Sequence, residues 1–161
     1  MPLGSPTLHL LCGKAASGKS TLAAELGEAP GTVVISEDQW LAALYGDQMS
    51  TLADYVRCSG KLEGIIAPHA AALLKAGVSV VLDFHANTRA RRAWMRGIIE
   101  QSGADHRLHY LDVPDEVCLE RLRARNASGT HPFAVTEEQF ARISKHFEAP
   151  SPEEGFNVEV R

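Results

Sequence analysis

A chain of 161 residues, 45% apolar and 22% charged, is long enough for one domain with a real buried core. Its net charge of -4 argues against a broad basic face for sequence-independent nucleic-acid binding, though not against a narrow basic channel for one strand end. Cys12, Cys58 and Cys118 stand apart with no CxxC pair, which argues against a zinc ribbon or a disulfide framework and suits a reducing cytoplasm; no membrane span or signal peptide is expected either.

In chain order, strand-like and helix-like segments alternate, the pattern of an α/β fold with a largely parallel sheet. The first strand is Thr7 to Cys12, followed by a Gly-rich turn and a helix from Lys19 to Leu26, stopped by Gly27 and Pro30-Gly31. A short strand, Thr32 to Ile35, leads to Ser36 as N-cap of a helix carrying Glu37, Asp38, Trp40 and Leu41. Leu52 to Lys75 reads as one or two helices, broken near Ser59-Gly60. Val78 to Asp83 is almost uninterruptedly apolar, as a central strand covered on both faces would be.

Asn87 is the expected cap of a helix from Thr88 to Gln101, whose Arg89, Arg91 and Arg92 read mostly as surface, with one of them a candidate for holding an anionic acceptor. Arg107 to Val113 is the next strand, and Pro114-Asp115 opens a helix through Arg125. A loop is expected over 126–135, then a helix from Thr136 to about Phe147. The tail FNVEV is a candidate edge strand. No linker divides the chain, so residues 1–161 form a single domain.

Gly13-Lys14-Ala15-Ala16-Ser17-Gly18-Lys19-Ser20 matches G-x-x-x-x-G-K-[ST] between an apolar strand and a helix. Glycines let the backbone fold back until several N–H groups converge, and the helix N-terminus behind them favours a polyphosphate. The nucleotide-binding positions are therefore Gly13, Ala16, Ser17, Gly18, Lys19, Ser20 and Thr21, with Lys19 reaching the β- and γ-phosphates and Ser20 on Mg²⁺.

Neither DxxG after a strand nor [NT]KxD is present, which excludes a guanine-specific switch, and the chain is too short for a mechanical ATPase with its lid domain. A small kinase fits better. Asp38 or Glu37, directly after the second strand, would orient or deprotonate an acceptor hydroxyl, Asp38 being preferred; both also suit a helix first turn. Asp83, ending an apolar strand, is the candidate Mg²⁺-side acid, with Ser20 as its companion ligand. Arg121 and Arg125 share one helix face and could cover the nucleotide, one on adenine and one on the transferring phosphoryl.

Taken together, GKAASGKST, SED, VSVVLDFHANTRARR, LERLRARN and FEAPSPEEGF resemble the small AAA_33-type P-loop kinases, which are related to zeta toxins, chloramphenicol phosphotransferase and polynucleotide kinases. The resemblance implies a three-layer α/β/α fold with a mainly parallel five-stranded sheet and a short lid. It implies ATP and Mg²⁺, a catalytic set of Asp38, Lys19 and Arg125, and Arg121 packed on adenine. Polynucleotide kinases often carry an arginine two residues after the acidic pair; here Trp40 holds that position, which favours a small-molecule hydroxyl acceptor over a nucleic-acid end. A polynucleotide 5′-hydroxyl or toxin-like kinase, and a nucleotide-binding regulatory module with little transfer activity, are the alternatives.

Overall fold

The computed structural model describes residues 5–129 and 135–161. Five strands form one all-parallel sheet in the order β2-β3-β1-β4-β5: β1 Thr7–Cys12, β2 Thr32–Ser36, β3 Ser79–His85, β4 Asp105–Tyr110 and β5 Val158–Val160. Helices lie on both faces. The parallel α/β fold expected from the alternating pattern is present, as is the five-stranded α/β/α arrangement that the resemblance implies, and FNVEV does supply the edge strand.

The core follows from strand burial. Leu8, Leu10 and Cys12 of β1 and Val80, Leu82 and Phe84 of β3 are at most 1% exposed. One face of the sheet packs on α3 (Leu52–Lys75) and α4 (Arg89–Ser102), whose Cys58, Leu62, Ile66, Met95 and Ile98 join the main cluster. On the other face Leu11 and Val81 meet Leu22 and Ala23 of α1 (Lys19–Gly27).

Three local expectations change. Helix α3 is continuous for 24 residues and does not break at Ser59-Gly60. A capping box between Thr51 and Asp54 starts it, and the buried stripe Cys58, Leu62, Ile66, Ala70, Leu74 outweighs the helix cost of Gly60, Gly64 and Pro68. Thr88, not Asn87, caps α4: its hydroxyl accepts from the Arg91 N–H at 3.1 Å. Helix α5 (Asp115–Ser128) takes in the first residues of the expected 126–135 loop, while 130–134 lie outside the described residues. Helix α6 spans Glu137–Ser144, and the Thr136 cap is present as a capping box with Gln139.

Two features position the site. Strand β1 lies between β3 and β4 while the chain steps outward to β2, so the crevice where connections diverge opens at the carboxyl end of β1. Ser36 is in register with Asp83, which brings Ser36-Glu37-Asp38 to the same edge; α2 (Glu37–Tyr45) begins there. Among the described residues no helix is long and apolar enough to cross a membrane.

Candidate active site

The loop after β1 has the geometry that its composition predicts. Ala16 (φ 61°) and Gly18 (φ 104°) are left-handed, and Ala16 is the one non-glycine residue with positive φ among the described residues. A β-carbon on Gly13 would lie 2.4 Å from the Ser17 Oγ and 3.2 Å from Leu111 Cβ, so a side chain there would force the loop's neighbours to shift. Helix α1 starts at Lys19 with no side-chain cap and no acid in its first turn, so its N-terminal N–H groups face the loop unopposed by negative charge. The Ser17 hydroxyl is buried in this cradle with no hydrogen-bond partner among the described residues. An orphaned polar group beside the donors of a helix N-terminus fits a polyphosphate.

Lys19 folds back so that its Nζ donates to the carbonyls of Gly13 and Lys14, the latter at 3.0 Å. Burial lowers its pKa to about 8, against the opposing pull of Asp83, Cys12 and Asp38. Ser20 Oγ donates to Asp83 Oδ2 at 3.3 Å. The Asp83 carboxyl is raised above its usual range, first by burial and then by the Asp38 charge. Both stresses would be relieved by a hard cation, and two oxygen donors at this spacing suit Mg²⁺. Among the described residues no group of three His, Cys, Asp or Glu side chains could hold a metal, so the remaining ligands would be phosphate and water oxygens, the usual Mg²⁺ arrangement.

The two carboxylates after β2 part company. Glu37 is 1% exposed and both its oxygens are engaged. One accepts from Ser59 Oγ at 2.8 Å and pairs with the Arg91 guanidinium; the other takes the Tyr55 hydroxyl at 3.5 Å and lies 3.7 Å from His85 Nε2. Asp38 is half-buried and close enough to Lys19, Asp83 and Arg125 to perturb the titration of all three. Trp40 packs against the main core.

Helix α5 carries the expected arginines to the loop. Arg121 Nη1 donates to the Ser17 carbonyl at 3.3 Å. Among the described residues Arg125 Nε is buried without a hydrogen-bond partner. Cys118 and Leu122 of α5, with Phe140 of α6, pack on Ala15 and Ala16, so this helical pair rests on the outer side of the loop. Lys14 ties it down through Asp115 at 2.8 Å.

The arginines of α4 are not the surface cluster that the sequence suggests. Arg91 is nine-tenths buried, paired with Glu37 and with Glu63. Arg92 is fully buried: Nε pairs with Glu154 Oε1 at 2.7 Å, and the guanidinium donates to the carbonyls of Ala86, Glu148 and Ala149. This is the physical content of FEAPSPEEGF, in which Ser151 N–H also binds Glu154 at 2.9 Å. Only Arg89 is exposed, and it binds Ser151 and Glu148. The partners lie 28 to 62 residues away, so residue spacing alone could not reveal them.

Sequence reasoning also missed Asn87, whose side-chain amide binds Gly13 at both ends: the Gly13 N–H donates to Oδ1 at 2.9 Å, and Nδ2 donates to the Gly13 carbonyl at 2.8 Å.

The AAA_33 family model, described as an AAA domain, matches residues 8–150. Among solved structures, a candidate kinase from Chloroflexus aurantiacus j-10-fl superposes with a TM-score of 0.77 at 18% identity, covering 98% of this chain and 85% of that one. The APS kinase CysC of Mycobacterium tuberculosis, solved with AMPPNP and APS, gives 0.60 at 21% identity, with 91% and 84% covered. A chain of the Pnkp1/Rnl/Hen1 RNA repair complex gives 0.67 at 23% identity, with 88% of this chain but only 43% of that one covered. At these identities the likeness is one of fold. A search of curated proteins returned no match.

Proposed function

The chain belongs to the AAA_33 family, and from that footing we propose that it is an ATP-dependent kinase phosphorylating a hydroxyl of a small, uncharged acceptor. The observation that carries this reading is the convergence on one sheet edge of the Gly13–Ser20 loop, the Ser20–Asp83 oxygen pair and Asp38. A loop alone would serve any nucleotide-binding module. A carboxylate whose charge reaches Lys19, Asp83 and Arg125 is what phosphoryl transfer to an alcohol adds.

The residues divide the work as follows. The loop amides and the N-terminus of α1 hold the polyphosphate, and the buried Ser17 hydroxyl gains a partner. Lys19 leaves the Gly13 and Lys14 carbonyls for phosphate oxygens. Ser20 and Asp83 would hold Mg²⁺, which would neutralise charge on the phosphates. Asp38 orients the acceptor hydroxyl and takes its proton as the oxygen bonds to phosphorus and the bond to ADP breaks. Arg125 offers its unpartnered Nε to the transferring group, and Arg121 lies beside Ser17 on the nucleotide side. Glu37 does not serve as base, since both its oxygens already accept hydrogen bonds.

The engagement of Arg91 and Arg92 bears on the acceptor. Their charges are matched internally by Glu37, Glu63 and Glu154. An anionic acceptor held by Arg91 or Arg92 would have to break one of those pairs, whereas a neutral hydroxyl compound makes no such demand.

The test is a mass-spectrometric search for a phosphoryl-sized mass gain. Protein and ATP·Mg²⁺ are incubated with neutral metabolites, antibiotics and 5′-hydroxyl oligonucleotides, with Lys19→Ala as control. A Lys19-dependent neutral product supports the proposal. An oligonucleotide product would overturn the acceptor class, and nucleotide binding without product in any arm would point to a regulatory module.

A further inference from the structure

The side chain of Asn87 turns both ends of its amide on one glycine. Gly13 offers a donor and an acceptor, and the amide meets both, at 2.9 and 2.8 Å. The orientation of the amide is forced, because the N–H of Gly13 can face only the oxygen and its carbonyl only the nitrogen. A helix-capping asparagine would use a single acceptor on its own following turn; that task falls here to Thr88.

The clamp is rigid because its own backbone is fixed from three sides. The Ala86 N–H donates to the Leu11 carbonyl at 2.8 Å, and the Ala86 carbonyl accepts from buried Arg92 at 2.8 Å. The Asn87 carbonyl accepts from the Glu148 N–H at 2.8 Å. Thr88 then enters α4. From this fixed backbone the side chain reaches the first peptide of the phosphate loop.

The Gly13 carbonyl has a second donor, Lys19 Nζ. If nucleotide binding turns Lys19 towards phosphate, that carbonyl loses one of two donors. Asn87 Nδ2 remains. We propose that Asn87 is a positioning residue for the nucleotide: it holds the Gly13 peptide at both ends, so that Lys19 can exchange backbone carbonyls for phosphate oxygens while the loop keeps its shape. The inference rests on the nucleotide reading above, and it adds a residue outside the G-x-x-x-x-G-K-[ST] stretch. It also links the loop to the segment that Arg92 anchors, through Glu148.

Isothermal titration with two probes, ADP and inorganic tripolyphosphate, tests it on wild type, Asn87→Ala, Asn87→Asp and Thr88→Ala. Asn87→Ala is expected to lose about 10- to 100-fold in affinity for both probes, the effect of two partly buried hydrogen bonds. Asn87→Asp keeps the acceptor but turns a carboxylate oxygen on the Gly13 carbonyl, and weakens binding as well; it serves if the alanine variant does not fold. Thr88→Ala frays α4 and lowers the unfolding midpoint but leaves both affinities near wild type, which separates positioning from general stability. Wild-type affinity in either Asn87 variant, or an equal loss in Thr88→Ala, overturns the clamp and leaves the nucleotide site standing. Failure of the wild type to bind either probe overturns both.

Discussion

At the scale of single residues, Lys19 and Asp38 carry the sharpest consequences. Burial holds the Lys19 ammonium at a pKa of about 8 in the free protein, while contact with phosphate oxygens favours the charged form. Nucleotide binding above pH 8 must then take up a proton, and affinity falls as pH rises through that value. Calorimetry at pH 8.5 in two buffers of different ionisation heat reads this uptake directly. Lys19→Arg stays charged throughout the window and shows none; equal uptake in both proteins would place the titrating group elsewhere. Asp38→Asn keeps shape and polarity but cannot accept the proton. It retains nucleotide affinity and loses about 10²- to 10⁴-fold in turnover. An unchanged rate would remove Asp38 from the reaction. Glu37→Gln instead breaks a buried pair with Arg91, so its effect is read first in stability.

The elements show what could be read from sequence and what could not. The β1–loop–α1 unit was legible because all its determinants are local: an apolar run, glycines at the tight positions, and a helix behind them. The same holds for β3 and the Thr136 cap. Helix α3 was misjudged because glycine is only a weak breaker when a buried stripe runs past it. Arg91, Arg92 and Asn87 were misplaced because each takes its role from a partner that the fold brings near; Gly13 and Asn87 are 74 residues apart. Two predictions follow from these particulars. A β-carbon at Gly60 or Gly64 meets nothing within 4 Å. Alanine at each is therefore expected to stabilise the protein by about 0.5–1 kcal/mol, read as a higher urea midpoint at unchanged slope. Conversely, Arg92→Met leaves Glu154 and three carbonyls without their shared donor and costs about 3–5 kcal/mol, partly recovered by the double replacement with Glu154→Met. If the single change cost no more than a surface substitution, Arg92 would not be the anchor of the C-terminal segment.

For the whole molecule, the candidate site is where the sheet and the helices flanking it meet. The sheet supplies the loop and Asp83, α2 supplies Asp38, and α5 supplies Arg121 and Arg125. Helices α5 and α6 reach the core chiefly by resting on Ala15 and Ala16 and through Lys14–Asp115. A polyphosphate would therefore tie together pieces that are otherwise joined by modest contacts, and the free energy of binding becomes folding free energy. At ATP·Mg²⁺ a hundredfold above its dissociation constant the gain is about 2.7 kcal/mol. For a chain of this size that corresponds to a rise of roughly 5–10 °C in Tm. Lys19→Ala should keep the fold and lose the shift. Hydrogen exchange would then show where the stabilisation falls: in the loop, the start of α1, and α5–α6, with the outer face of α3 unchanged. Protection spread evenly over every element would mean that the ligand tightens the molecule as one body, and that α5 and α6 do not depend on the loop for their docking.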